Sequence, residues 1–575
     1  MKSQILNKLI NDVAVCLFFV FSCMFILSIT LLDGFTRQFL ERGYKLVGLI
    51  TILTSIFIFI FWKINKFKIN KNKIKLPKFR EFILLAIPMS PVLDFSFHNL
   101  EYLSFIGTIY MVFLTLSFAI LLGYILPVFF SYFGSYNILM ASGIALSFTI
   151  LSIPKITSNP NNHLFDSQFI TQGAYLIFSF IIIYSFYIFN KRILYLFSII
   201  FILTGLSINT VNIFSTKNIN SNVTKKYKDF FDNDKNKIIN KKDIYILIYE
   251  SYANLETLNY YGFNNSKQIK FLENNNFKIY HGTYSNAATS INSTSRLLEI
   301  DGPISKHGRY YLSGNSFGLN ILKSNSYKTI GLFSNPFPFG SYSITWDEHH
   351  PKENVKMKGG KLITKAIFQG EFRFDIFNDE YDYSEYLDLK NYYLKSKIDK
   401  PKLFYTHNNY PGHSQNSGKC LPNERFKYFE GMKKANLEMK NDISNIKKNN
   451  PNSIIVIAGD HGPYLTKNCT SLINYDKNDI DRFDIQDRYG TFLAINWPEE
   501  LITDELNLEI LQDIFPAILT SLTENKNLFE ELKVERKFFD KFKTITGGIN
   551  VLNGIIQGGK DDGKPLFGKT FNLKN

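Results

Sequence analysis

The sequence predicts a multi-pass α-helical membrane domain followed by an α/β domain with a mostly parallel central sheet. Three observations carry this reading. The first part of the chain is a series of long apolar runs separated by short basic or polar loops. The second part is polar and rich in Asn and Lys, with short apolar, β-branched runs alternating with stretches of helical period. Aromatic residues make up 16 % of the chain, with 55 Phe and 33 Tyr, a share that suits membrane and interface surface better than a wholly soluble protein.

At 575 residues there is room for several domains. Lys2 and Lys8 precede an apolar run over 13–32 that lacks a small-residue cleavage pattern, so a retained signal-anchor is expected. Further runs cover 46–62, 82–95, 103–130, 136–153, 170–189 and 193–214; the run at 82–95 is short, holds two prolines and reads as re-entrant or broken. Residues 63–80 are dense in Lys with no acidic residue until Glu81, which places that loop and the N-terminus in the cytoplasm. The basic 190–192 connection reads as cytoplasmic and the Lys-poor 154–168 loop as outside. An odd number of crossings then leaves everything after residue 214 outside. The expected division is a transmembrane domain of about five to seven helices at 1–214, a linker or interfacial helix at 215–242 carrying Phe230 and Phe231, and an extracytoplasmic domain at 243–575. The net charge of +15 fits attraction to a membrane surface. No nucleic-acid-binding motif is present, and nucleic acid is not expected as a partner. Of four cysteines, Cys16 and Cys23 lie in the first apolar run, while Cys420 and Cys469 lie in polar loops and are either paired, if that domain is outside the cytoplasm, or two thiols.

In the second part, residues 243–249 read as a buried strand ending at Glu250, 328–333 and 402–405 as further strands, and 426–449 as a helix. That helix leads into Ser453-Ile-Ile-Val-Ile-Ala-Gly-Asp-His461, a strand buried on both faces, as a β-α-β crossover would. Residues 491–496 form a later strand and 510–522 a helix with Pro516 inside it. No internal repeat is visible, and the Gly-Gly pairs near the C-terminus lack a phosphate-cradling spacing.

Gly459 is expected to let the backbone turn, so that Asp460 and His461 emerge at the carboxyl end of their strand, where open α/β sheets build their sites. Alone, the pair reads equally as a capping Asp with a surface His, and Glu250 as a helix N-terminal carboxylate. Together they place a second acidic strand end on the same sheet edge, and two carboxylates with an imidazole suit one divalent ion, Zn2+ or Mn2+. A hydroxyl-rich loop, Ser285-Asn-Ala-Ala-Thr-Ser-Ile-Asn-Ser-Thr-Ser-Arg296, lies between the two strands and opens a helix. A hydroxyl held there on a metal loses its proton readily and becomes a nucleophile; the plainer reading is a Ser/Thr N-cap.

Glu250, this loop and Asp460-His461, following several membrane spans, resemble the alkaline-phosphatase/sulfatase-like membrane transferases. These include the phosphoethanolamine transferases of lipid A and the phosphoglycerol transferases of lipoteichoic acid and osmoregulated glucans. The resemblance runs over roughly 243–567 and includes Asp513-Ile-Phe-Pro-Ala-Ile-Leu519 and Asp562-Gly-Lys-Pro-Leu-Phe567. It implies a sulfatase-like catalytic domain at 243–575, one Zn2+ or Mn2+ on Glu250, Thr289, Asp460 and His461, and Thr289 as nucleophile, with Ser290 and Thr294 as the alternatives. His407 and His413 occupy the place of substrate- or second-metal-binding histidines, and Trp346-Asp-Glu-His-His350 is a polar cluster suited to lining the cleft. The implied reaction moves a phosphoethanolamine- or phosphoglycerol-type head group from a membrane phospholipid to an envelope lipid or glycan through a phospho-threonine. The implied place is a bacterial inner membrane with the catalytic domain on the periplasmic or extracellular side. The sulfatases proper need a Cys or Ser in a C/S-x-P-x-R setting, and no Cys here sits so, which argues against sulfate-ester hydrolysis. Glu250-Ser-Tyr-Ala lacks the Arg that the lipid A enzymes carry two positions on, which leaves ethanolamine against glycerol open. The rival readings are a phosphodiesterase or phosphatase of the same superfamily and a non-catalytic envelope assembly protein.

Overall fold

The computed structural model describes the chain except residues 1, 31–35, 66–75, 99–104, 158–167, 205–229, 301–307, 335–343, 352–382, 415–419, 421, 468, 470–471, 473–474, 502–505, 539–545 and 569–575. The described residues fall into two compact units, one within Met1–Ile219 and one within Asn220–Val355 and Ile376–Asn575. The end of the last expected apolar run, most of the 154–168 loop and the first half of the expected linker lie outside the described residues.

In the first unit the apolar runs form helices at Lys2–Thr30, Thr36–Ile64, Phe105–Ile120, Tyr136–Thr157 and Gln168–Phe189, and a further helix covers 191–204. Among the described residues three helices are long and apolar enough to cross a membrane by length and composition, at Gln4–Ile26, Val47–Ile64 and Ile109–Phe130. The third is interrupted by a π-type turn at Leu121–Ile125, just ahead of Pro127. The run with two prolines is broken, as its sequence implies: a 3-10 turn at Phe79–Leu85 precedes a helix at Ala86–His98 that holds Pro91. One buried carboxylate inside this unit is paired, as a setting without water requires. The Glu81 carboxylate accepts from the Tyr187 hydroxyl at 2.5 Å and the Lys78 backbone N–H at 3.0 Å.

In the second unit the six residues Ile244–Tyr249 form β1, fully buried as their apolar run demands. The other strands are β2 (Lys278–Ile279), β3 (Lys328–Phe333), β4 (Glu348–His350), β5 (Lys402–Asn408), β6 (Ile454–Gly459) and β7 (Leu493–Asn496). They assemble in the order β2-β7-β6-β1-β5-β3-β4. Only β7 runs against the rest: it is antiparallel to both β6 and β2, while β1 is parallel to β5 and β6, and β3 to β4 and β5. Side chains alternate across the sheet. Ile244, Ile246 and Ile248 join one core with Leu403, Tyr405, Val456 and Ala458, covered by the helices Ser290–Glu299, Phe317–Ser324 and Ile514–Leu522. Tyr245, Leu247 and Tyr249 join the opposite core, under Leu255–Tyr261, Ser266–Asn274 and Glu424–Asn449. A β8–β9 hairpin (Asn550–Leu552, Ile555–Gln557) stands apart from the main sheet.

The polar cluster at Trp346–His350 turns out to be an edge strand with its groups spent locally. Trp346 is buried and donates to the Leu312 carbonyl at 2.7 Å, Asp347 accepts from Thr329, and Glu348 pairs with Lys328 at 3.2 Å.

Candidate active site

The strand register builds the site. Tyr249 of β1 lies level with Asn408 of β5 and Gly459 of β6, so the next residues of the flanking strands, Glu250 and Asp460, leave the sheet side by side. Counting by twos from Ile244, Tyr405 and Ile454, period-2 alternation aims Glu250, His407 and Asp460 at the sheet face covered by Ser290–Glu299. Gly459 has a steric role different from the turn expected of it: it is the last strand residue, and a Cβ there would lie 2.1 Å from the Tyr252 carbonyl oxygen. Gly462 likewise sits where a Cβ would meet the Asp487 carbonyl at 2.2 Å. The two glycines let the Asp460-His461 corner press against neighbouring backbone.

Glu250, Asp460 and His461 each offer a ligand atom within 4.8 Å of the others. Asp460 is fully buried. Its Oδ1 accepts from the backbone N–H of Ser251 at 2.7 Å and of His461 at 2.9 Å, whereas its Oδ2 has no hydrogen-bond donor. A buried carboxylate oxygen left bare is costly unless a cation meets it. His461 Nδ1 bonds the Gly462 carbonyl at 2.7 Å, which leaves Nε2 as the lone-pair side. That Nε2 lies 3.4 Å from Glu250 Oε1 and 3.5 Å from Asp460 Oδ2, close to the edge of about 3.3 Å of a tetrahedron with zinc–ligand bonds near 2.0–2.1 Å. The donor set and its spacing therefore fit one Zn2+ or Mn2+ on Glu250, Asp460 and His461.

A hydroxyl stands beside Glu250 and His461. Ser290 Oγ lies 3.0 and 3.1 Å from the two Glu250 carboxylate oxygens and 3.1 Å from His461 Nε2. Thr289 sits one residue earlier at the N-cap, extended (φ −129°, ψ 144°), its side chain making no cap bond. Thr294 lies a turn further on and spends its hydroxyl on the Ser290 carbonyl at 2.5 Å. The helix is fixed behind the site by a buried chain of bonds. Ser293 Oγ donates to the Asp460 carbonyl at 2.6 Å, Ser285 Oγ meets Ser293 Oγ at 2.8 Å, and Gln512 Nε2 donates to the Ser293 carbonyl at 3.0 Å while its Oε1 accepts the Asn286 N–H at 3.1 Å.

Both sequence-selected histidines arrive here. His407 Nε2 lies 2.7 Å from Glu250 Oε2 and 3.6 Å from Asp460 Oδ2. His413 Nε2 lies 3.8 Å from Glu250 Oε1, with Nδ1 on the Ser414 carbonyl at 2.6 Å. His413 keeps 33 % of its side chain exposed and Glu250 16 %, against 4 % or less for His407, His461 and Asp460, so His413 is the most accessible of these groups.

Electrostatics follow the same geometry. Burial pushes the Glu250 carboxyl up, but hydrogen bonds from His407 and His461 overcome this and hold it well below the usual carboxylate range. Burial pushes the His461 imidazole down, and the Asp460 and Glu250 carboxylates reverse this and raise it to about 9. His407 is raised in the same way, burial opposing and Glu250 prevailing. The site draws positive charge, as protons on imidazoles or as a divalent cation.

Two contributors escaped the sequence reading. Ser251 adopts a left-handed backbone (φ 57°), a strain tolerated here because its N–H and hydroxyl hold Asp460 Oδ1 and His461 Nδ1 (3.3 Å). Tyr464 stacks on His461. Nothing in the residue types marks either. Cys420 and Cys469 are disulfide-bonded, joining the segment after His413 to the segment after His461.

No family model and no curated protein matches the chain. It is similar to the solved periplasmic domain of EptC from Escherichia coli in complex with Zn, at 13 % identity over 50 % of this chain and 83 % of that one, with a TM-score of 0.34. It is also similar to the integral membrane lipooligosaccharide phosphoethanolamine transferase EptA from Neisseria meningitidis, at 10 % identity over 78 % of this chain and 96 % of that one (TM-score 0.33). The lipoteichoic acid synthase LtaP from Listeria monocytogenes matches at 13 % identity over 59 % and 89 % of the two chains (TM-score 0.33). EptA and LtaP bear names from the group of transferases that the sequence resembles. Likeness at this level assigns no residue a role.

Proposed function

We propose that the chain is a metal-dependent transferase that moves a phosphoethanolamine- or phosphoglycerol-type head group from a membrane phospholipid to an envelope lipid or glycan. The observation that carries the reading is a hydroxyl at the start of a helix, 3.0–3.1 Å from both Glu250 and His461, beside a buried carboxylate oxygen without a donor. Glu250, Asp460 and His461 would hold one Zn2+ or Mn2+, which lowers the hydroxyl's pKa and neutralises phosphoryl oxygens. The geometry favours Ser290 over Thr289 as the nucleophile, with the intermediate a phospho-serine in place of the phospho-threonine that the resemblance implies. Its oxygen attacks the donor phosphorus, the bond from phosphorus to the diacylglycerol oxygen breaks, and that oxygen leaves with a proton. The helix N-terminus below favours the anionic group. His413, the accessible imidazole, binds the phosphoryl oxygens or hands on the proton, while His407 orients Glu250. An acceptor hydroxyl then gives up its proton and attacks the same phosphorus, the bond from phosphorus to Ser290 Oγ breaks, and Oγ takes up a proton while the head group leaves on the acceptor. The paired Cys420 and Cys469 support an oxidising, extracytoplasmic location for this unit.

The test incubates the full chain in nanodiscs with zinc and with head-group-labelled phosphatidylethanolamine or phosphatidylglycerol, then maps the labelled peptide. Diacylglycerol release with label on Ser290, abolished in Ser290→Ala and retained in Thr289→Ala, supports the proposal. Label on Thr289 moves the nucleophile by one residue. Steady release of free head group with no acceptor modified makes the protein a hydrolase, and no release from either lipid defeats the transferase reading.

A further inference from the structure

Tyr464 lies three residues beyond His461 in a left-handed backbone conformation (φ 59°) that a tyrosine adopts only at a cost. It stacks on His461 with centroids 5.3 Å apart and planes 18° from parallel, and it lies 5.6 Å from the His413 ring. Its hydroxyl donates to the carbonyl of Ala288, the residue before Thr289. The Arg488 guanidinium stands 5.2 Å from the ring centroid, held by the Thr466 hydroxyl at 3.2 Å and the Thr466 carbonyl at 3.1 Å. Asp487 accepts from the backbone N–H groups of Leu465 at 2.8 Å and Thr466 at 3.1 Å. The segment that carries Tyr464 is thus pinned from below, and one aromatic side chain joins the proposed metal ligand, the accessible histidine and the entry to the nucleophile helix.

The geometry points to Tyr464 as a positioning residue: its ring fixes the plane of the His461 imidazole, and its hydroxyl ties the start of the Ser290 helix to that plane. The Nδ1 bond to Gly462 fixes the direction in which His461 Nε2 points but leaves the ring free to twist about that bond, and the stack removes this freedom. The hydroxyl link then sets Ser290 Oγ against Nε2, and displacement of a reacting atom by an ångström is enough to cost a large factor in rate. The second role rests on the transferase reading above; the first rests only on the fit of the ligand set.

The experiment uses the full chain in detergent. The zinc dissociation constant is measured by competition with a fluorescent chelator, and head-group transfer by the labelled-lipid assay. Tyr464→Leu removes ring and hydroxyl, and its zinc dissociation constant should rise by about ten- to hundredfold, the range found for outer partners of metal ligands. Tyr464→Phe keeps the stack, so zinc affinity should stay within about twofold while transfer slows by about tenfold, because the hydroxyl tie to the start of the Ser290 helix is gone. Zinc binding by Tyr464→Leu as tight as in the unaltered chain overturns the first role, even if that variant melts earlier, since a residue that merely fills space lowers stability without touching zinc affinity. Should Tyr464→Leu fail to fold, Tyr464→Phe decides: a loosened zinc site in it shows that the ring alone does not hold His461, and transfer at the unaltered rate removes the hydroxyl link. An unaltered chain that transfers nothing sinks the transferase reading, while the zinc measurement still decides the role of the ring.

Discussion

Replacing Asp460 with Asn removes one negative charge and almost nothing else. The amide oxygen can keep the two backbone donors now on Oδ1, at 2.7 and 2.9 Å, and the amide nitrogen takes the place of the bare Oδ2. Two carboxylates within 4.8 Å repel by about 3.5 kcal/mol at an effective dielectric of 20. A protonated His461, 3.4 and 3.5 Å from the two carboxylates, offsets that repulsion in the metal-free protein. Losing Asp460 removes the repulsion and one attraction together, so the metal-free variant should melt near the unaltered chain. Zinc separates the two. At a zinc concentration 100 times the dissociation constant, binding stabilises the unaltered protein by about 2.7 kcal/mol, a rise of about 4 °C for a unit of this size. Loss of an anionic ligand should cost more than the roughly hundredfold that outer partners command. At the same zinc concentration the variant then gains at most about 0.4 kcal/mol, a shift of under about 1 °C. Differential scanning fluorimetry of the full chain in detergent, with zinc and with chelator, measures both. An equal zinc-dependent shift in D460N would refute the ligand assignment and the argument from the bare oxygen.

Zinc affinity should also fall with pH. The His461 imidazole is raised from 6.5 to about 9 in the metal-free site, so that its stabilising charge is fully present below 6.5 and is lost as pH rises through about 9. Zinc must displace that proton, so its dissociation constant should rise by about tenfold for each unit below 9, and more steeply where His407, also raised, gives up a proton too; a pH-independent constant between 6 and 8 would contradict this. The Cys420–Cys469 bond closes a loop of sequence separation 49, which by chain entropy stabilises the unit by up to about 4 kcal/mol. Reduction, or Cys420→Ser with Cys469→Ser, should lower its melting temperature measurably, and an unchanged melting curve after confirmed reduction would dismiss that contribution.

What the sequence disclosed and what it hid divide along physical lines. β1 and β6 were legible because a strand buried on both faces must be apolar throughout, and the residues that end them, Glu250 and Asp460, break that rule abruptly. The 328–333 strand and the 426–449 helix appear at β3 and Glu424–Asn449 for the same reason of periodicity. β7 was visible as a strand but not in its direction, since apolar content is blind to whether a neighbour runs parallel or antiparallel. β4 was hidden because an edge strand of Glu-His-His needs no apolar run. Within the site, the carboxylates and His461 follow from strand ends alone, and His407 follows once its register with Ile248 is known. The choice between Thr289 and Ser290 does not. Thr289 is extended at the N-cap and Ser290 is the first helical residue, so the two side chains leave the backbone in different directions, and the hydroxyl that reaches Glu250 is set by the rotation of the helix. That rotation is fixed by Ser285, Ser293 and Gln512, of which Gln512 lies more than two hundred positions away in the chain. A motif can bring two hydroxyls to one sheet edge; the buried bonds beneath them set which one lies against Glu250.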